Sequence, residues 1–471
     1  MKRIFYIICI SLALTGCYKT KSEVKEDCKY LKKVITEAYV NYDELVERGF
    51  DVDYLIKNIG EEYSDTFGYE NPLDVAGFGE IIAYNITDYF LALDFYDNHL
   101  SFKFDKYNNS FYRQKYCYYS NIYFEKKDNN YYVKKSDDDT IKTGSCYTGD
   151  LDLLRPVICS NEVLYRYIVL DYYNANITID LDNKEIPCKA KISDVYNVDN
   201  HDAIEYFETA NTVYIGLKDC YLNINKQDME KYHETRNKFD KIVSMIQKSD
   251  VNKNVVLDLG GNRGGYAESI YYLLCPIFYR QKLDYRSDFL DIVKIATEGQ
   301  YSIRSTEINK AILNYQIKNN IAEENRIEPK EEPRTIIGEK NNTSDVFPQL
   351  GRELLQGNLF ILMDSKTASA AEYGIATSYL INKEKVILVG NKTFGAMSSG
   401  SYYSYTLPNS RIEVNLATVN HENETLFRLN TRWHGDTEGF FPDYFADNDT
   451  INETLEYLLK DPELVKKLSE W

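Results

Sequence analysis

The 471-residue chain lacks the spacings by which proteins usually hold metals: it has no Cys-x-x-Cys, no His-Glu-x-x-His and no spaced-carboxylate loop. Neither a structural nor a catalytic metal is expected from such a sequence. It also lacks an excess of positive charge. The formal net charge is −18, which argues against nucleic acid, or an anionic membrane, as a partner held through a basic surface. Its one glycine-rich stretch, Gly260-Gly261-Asn262-Arg263-Gly264-Gly265, fits neither Gly-x-Gly-x-x-Gly nor the P-loop. That removes the two best phosphate-cradling signatures, and no cofactor is expected. Histidine is scarce, with only His99, His201, His233, His421 and His434. Past the first residues no apolar run approaches the length of a membrane-spanning helix.

What is present begins at the N-terminus. Lys2 and Arg3 precede the apolar Ile4–Leu14, too short to span a bilayer and of the kind found in signal peptides. The run ends in Leu14-Thr15-Gly16-Cys17, which resembles the bacterial lipobox. That resemblance implies cleavage before Cys17, diacylglycerol on its thiol, and a membrane partner reached through that lipid. The expected location is the cell envelope, at the periplasmic or outer-membrane face. Of nine cysteines, Cys28, Cys117, Cys146, Cys159, Cys188, Cys220 and Cys275 then remain. Export permits disulfides among them, and their pairing is not legible.

The residues after the signal, 1–16, are enough for two or three packed domains. Residues 17–110 read as helical, with apolar positions at three- and four-residue spacing in Leu31, Val34, Ile35 and Ala38, and a further helix from Ile82 to Asp94. This pattern breaks at Asp97-Asn98-His99-Leu100. Residues 111–205 carry short alternating runs between Asp/Asn turns and read as a small β-rich domain. From 206 to 446, strand, loop and helix repeat in the rhythm of an α/β layer. A polar insertion interrupts it at about 289–345, and 447–471 forms a closing helix.

The strand-type Leu359–Met363 ends abruptly in Asp364-Ser365-Lys366-Thr367-Ala368-Ser369, and small residues then open a helix. Ser369 thus falls at a helix N-terminus just past a strand, where free N–H groups and the helix dipole meet. A serine there can attack a carbonyl while nearby amides receive the oxyanion. Taken alone, helix capping explains it better. Three further segments reverse that preference: Asp258–Gly265 after a hydrophobic strand, Gly390–Gly395 after the strand Val386–Val389, and Glu438-Gly439 followed by Pro442-Asp443.

In this order the chain resembles the tail-specific, or C-terminal processing, serine protease family, whose α/β core is crotonase-like. The family's Asp-Leu-Arg-x-Asn-x-Gly-Gly is matched by Asp258–Gly265, with Gly260 in place of Arg. Thr-Ala-Ser-Ala-x-Glu is matched by Thr367–Glu372, and Gly-x-x-Thr-x-Gly by Gly390–Gly395. The resemblance implies a crotonase-like protease core, a protein or peptide substrate, Ser369 as nucleophile, and an oxyanion hole from the amides of Ala370 and of Gly261 or a neighbour. The processing branch places its base, a lysine, directly after Phe-Gly, and here that position is Ala396. Lys392 or Lys366 could replace it only through a rearranged loop.

The tricorn-like branch instead takes a histidine from an upstream segment, with a glutamate near the end of the core. Asp97-Asn98-His99-Leu100 resembles that branch's Asp-x-His-Thr, with Leu100 for Thr. His99 is therefore the favoured base, Asn98 its orienting neighbour, and His434 the runner-up. Glu438 reads equally as an electrostatic site residue and as a solvated acid beside a turn. Many family members carry a PDZ domain where residues 112–203 lie, but no glycine-rich carboxylate loop is found there; Tyr147-Thr148-Gly149-Asp150 is the nearest feature. Two readings of function stand: an exported serine endopeptidase, and a catalytically inactive relative that binds a ligand or protein.

Overall fold

The structure is a computed structural model and describes residues 2–104, 107–110, 115–171, 176–192, 204–220, 229–265, 267–280, 354–397, 399–420, 432–447 and 449–460. The insertion expected at 289–345, together with His201 and His421, lies outside these residues. Two compact units emerge. The first takes the described residues of Met1–Arg113 and Ser398–Glu422. Its helices are Lys2–Ala38, Tyr42–Glu47, Val52–Phe67 and Val75–Ala92. Its sheet runs in the order Ser399–Thr406, Glu413–Asn420, Ser101–Phe104, Tyr107–Ser110. The heptad-like stripe Leu31, Val34, Ile35, Ala38 shares one core with Leu55, Ile59, Ile82, Phe102 and Val414. Carboxylates start two of the helices: Asp51 accepts the N–H groups of Asp53 and Tyr54, and Asp74 that of Gly77. The Asp74 cap is why the fourth helix begins before the expected Ile82.

The second unit is organised by one long sheet. Its parallel centre runs Thr212–Leu217, Asn254–Asp258, Leu359–Met363, Val386–Gly390, Tyr444–Phe445, Leu154–Cys159. The apolar runs are continuous because both faces are covered. Leu257, Ile361 and Leu388 face a core shared with Phe239, Leu273 and Ile375 of the helices Met229–Lys248, Ala267–Tyr279 and Ala370–Asn382. Their neighbours Val256, Phe360, Ile387 and Val389 face Ile451 and Leu458 of the helix Ile451–Lys460. Registers Asp258↔Leu362 and Met363↔Gly390 bring three strands to their carboxyl ends at one edge. In parallel α/β sheets that edge is where ligands bind.

Two boundaries differ from the sequence reading. Most of the β-rich segment is not a separate sheet: Val157 pairs with Phe445, and the strands Glu162–Asp171, Tyr116–Lys127 and Asn130–Ser136 extend the core sheet, while Asn176–Leu181 and Lys184–Lys189 pair as a two-stranded sheet of their own. Strands Ser399–Thr406 and Glu413–Asn420, expected within the 206–446 core, instead build the sheet of the first unit: they pair with each other, and Glu413–Asn420 pairs with Ser101–Phe104. Both differences are long-range pairings that a local pattern does not encode. Cys28, Cys117, Cys146, Cys159, Cys188, Cys220 and Cys275 are all free thiols.

Candidate active site

At the end of Leu359–Met363 the chain meets a buried carboxylate. Asp364 accepts the N–H groups of Gly261 at 3.0 Å, Lys366 at 2.9 Å and Thr367 at 3.0 Å. Burial raises its pKa, and those hydrogen bonds pull the other way. The Thr367 hydroxyl donates to the Leu259 carbonyl at 2.9 Å, tying this turn to the glycine-rich loop. Asn262 completes the tie, accepting Ala368 N–H on its carbonyl and Gly264 N–H on its side chain, both at 2.9 Å. One expectation is thereby corrected. The Gly261 amide belongs to Asp364 and is not open to an oxyanion.

Ser369 sits at φ 53°, ψ −117°, a left-handed conformation for a residue with a side chain. Such strain costs about 1–3 kcal/mol and persists only where surroundings impose it. Here the surroundings are Glu372, fully buried, whose carboxylate accepts Ser369 N–H at 2.9 Å. The same carboxylate takes the N–H groups of Gly395 and Ala396, each at 2.9 Å, and the Thr393 hydroxyl. Burial raises the Glu372 pKa, opposed by all four donors. Ser369 itself is half-buried. Ala370 opens the next helix, a position whose N–H has no partner within the helix. The glycine loop passes against this point: a Cβ on Gly264, at φ +90°, would lie 2.8 Å from Ser369 Cβ and 2.9 Å from Ala370 N. Only glycine fits there.

Two more loops lock together beside it. Thr393 N–H donates to Phe440 O at 2.9 Å, and Phe440 N–H to Thr393 Oγ1 at 2.7 Å. Thr437 N–H reaches Gly395 O at 2.9 Å, and a Cβ on Gly395 would strike the amides of Thr437, Glu438 and Gly439. Ala396 is buried and brings no amine. Glu438, half-buried, is ion-paired with Lys115. His434 is exposed, its ring edge-on to Phe441 at 4.5 Å. Lys366 is fixed through its N–H on Asp364.

His99 belongs to the first unit, in the turn that leads into Ser101–Phe104. Its N–H donates to Asp97 Oδ1 at 2.8 Å, while Asp97 Oδ2 accepts the Tyr39 hydroxyl at 2.7 Å. Asn98 beside it is buried. Burial lowers the His99 pKa from 6.5, with the Asp97 charge opposing. The imidazole is thus held toward its neutral form, the one that accepts a proton. His233 is exposed on the helix Met229–Lys248.

Residues 218–444 match the model of peptidase family S41. That stretch of the chain belongs to the family. No curated protein sequence matches it. Among solved structures it is similar to mature CPAF, with 11% identity over 96% of this chain and 99% of that one, at a TM-score of 0.43. It is similar to a peptidase from Parabacteroides merdae, with 12% identity over 93% and 97% of the two chains and a TM-score of 0.38. The photosystem II D1 C-terminal processing protease matches at 11% identity over 94% and 96%, with a TM-score of 0.35. In this S41 peptidase core, sequence reasoning passed over Glu372 and Asp364. The Ser-x-x-Glu spacing of a capping box was the available signal for the first, and an Asp three residues before Thr367 for the second.

Proposed function

We propose that this S41 peptidase is an exported, lipid-anchored serine endopeptidase. The observation that carries the reading is the strained Ser369, held at φ 53° by a buried carboxylate at the mouth of a helix. Ser369 Oγ attacks a peptide carbonyl, and His99 Nε2 or Nδ1 takes the hydroxyl proton. The tetrahedral oxyanion is received by the Ala370 amide and by the Gly265 amide, since the Gly264 N–H is committed to Asn262. His99 then returns the proton to the leaving amine, and water repeats the sequence on the acyl-enzyme. Asn98 orients the imidazole, and Glu438 adds negative potential at the rim. Cys17 carries the lipid, and the substrate is a protein or peptide at the envelope.

Turnover of a fluorogenic peptide or of casein tests this directly. Ser369→Ala is expected to lose activity by roughly 10³-fold or more, the scale seen when a nucleophile is removed. Equal activity in the wild type and in Ser369→Ala contradicts the reading. Ala396 is the observation that favours a second one, a binding lipoprotein without turnover, since the family's lysine is missing. Release of Cys17→Ser protein from the membrane fraction tests the anchor.

A further inference from the structure

The mechanism above leaves a buried cation unused. Lys392 is fully buried, and no carboxylate lies within ion-pairing distance of it among the described residues. Its ammonium donates instead to three backbone carbonyls: Thr393 O at 2.7 Å, Thr437 O at 3.0 Å and, more weakly, Phe394 O at 3.4 Å. Burying a charge without a counter-ion is costly, so a fold retains one only where hydrogen bonds replace its water. An ammonium has three protons, and all three are used here.

The other side of the same loop faces an anion. Thr393 through its hydroxyl, and Gly395 and Ala396 through their N–H groups, donate to Glu372. The segment 393–396 is therefore strung between a buried cation on its carbonyls and a buried carboxylate on its donors. Glu372 in turn holds the Ser369 N–H. Removing the cation takes a donor from each of these carbonyls, Thr437 O keeping the Lys115 N–H at 3.1 Å, and unties the segment that orients Glu372 from loop 432–443.

We propose that Lys392 is a positioning residue for the Ser369 nucleophile, an ammonium clamp that fixes loop 390–397 against loop 432–443 and, through Glu372, holds the strained serine. The groups facing it are Cys117, Glu372 and Glu438, which favour its charge, and Lys115, which opposes it. Burial outweighs them and brings its pKa down to about 8. The sign then separates clamp from base. As pH rises through about 8 the amine loses a proton and can no longer donate to all three carbonyls, so a clamp loses activity. A lysine acting as general base would gain activity over the same range.

This inference rests on the peptidase reading for its kinetic arm only, so two measurements are made on the full-length protein. The first is kcat and KM from about pH 6 to about pH 10 for wild type, Lys392→Arg and Lys392→Met. The second is hydrogen exchange of the backbone amides at 393–396 in the same proteins. Wild-type kcat is expected to fall on the alkaline side, and Lys392→Arg to keep turnover within about tenfold with that fall moved to higher pH. Lys392→Met should lose about 100-fold in kcat with KM changed less than about threefold, and exchange at 393–396 should speed by about tenfold or more. Activity that rises through the alkaline range and vanishes in Lys392→Arg overturns the clamp in favour of a base. Unchanged exchange in Lys392→Met overturns it whatever the kinetics show. Exchange that responds to Lys392 in a protein without peptidase activity retains the clamp and removes the peptidase reading. Should Lys392→Met fail to fold, the wild-type profile and the Arg variant still decide.

Discussion

Ser369 and His99 are each held by a carboxylate on their own backbone N–H, but the two carboxylates are built differently. Asp97 is two residues from His99 and makes a local turn, with Tyr39 as its outside partner. Glu372 is three residues from Ser369, yet its other donors come from Thr393, Gly395 and Ala396. The histidine turn is a local device. The serine turn is an assembled one, for which the strand Val386–Gly390 must first pair with Leu359–Met363 so that the loop beyond it can reach Glu372. A local device tolerates conservative change, whereas an assembled one fails when any contributing segment moves.

Four substitutions would break or sharpen that contrast. The largest effect is expected for His99→Ala, which removes the proposed base: a loss of about 10²–10⁴-fold in kcat, the range of general-base catalysis. Gly264→Ala comes next. It puts a Cβ within 2.7 Å of Ala368 O and 2.8 Å of Ser369 Cβ at φ +90°, with no flexible side chain to yield on the backbone side. A fall of about 100-fold in kcat/KM is expected, with KM rising little, read from initial rates on one peptide.

Glu372→Gln keeps the volume but turns an NH₂ toward two of the four donors, whichever oxygen it replaces. A loss of about ten- to a hundredfold in kcat and about 2–3 kcal/mol of stability is expected, the second read by urea melting. The smallest effect should be Asp97→Asn, which leaves turn geometry nearly intact. Its signature is in pH rather than in rate. The wild-type acid limb should fall below the 6.5 of an ordinary imidazole, because burial disfavours the charged ring and activity is lost only once that ring protonates. Asp97 favours the protonated form, so removing its charge should move the limb lower still. A limb above 6.5, or one unmoved in Asp97→Asn, would assign the acidic transition to a group other than His99.

How much of this was legible in the sequence follows the same division. The strands Asn254–Asp258, Leu359–Met363 and Val386–Gly390 were legible because their runs are apolar throughout, which parallel strands covered on both faces require. The Ser369 turn was legible as small residues after a strand. Its strain was not, because positive φ at a serine is imposed by Glu372 and the neighbouring loop rather than by its own propensity. Gly261 was named for the oxyanion hole because glycines near a strand end look alike in sequence. The Asp364 hydrogen bond, across 103 positions, is what takes up the Gly261 amide, and no local pattern records it. The missing lysine at Ala396 was plain from the residue alone. That the buried Lys392 would serve carbonyls was not, since no sequence pattern records where an amine points.

The pairing of strand 413–420 with Ser101–Phe104 had no local signal either, because the partners lie about three hundred positions apart and alternate like any amphipathic strand.

The most direct measurement is fluorophosphonate labelling of the purified full-length protein, followed by mapping of the adduct by mass spectrometry. One adduct on the peptide that contains Ser369 is expected, absent in Ser369→Ala and slowed by about 100-fold or more in His99→Ala. Labelling that persists in Ser369→Ala, or none in a wild-type protein that still cleaves peptides, would contradict Ser369 as the nucleophile.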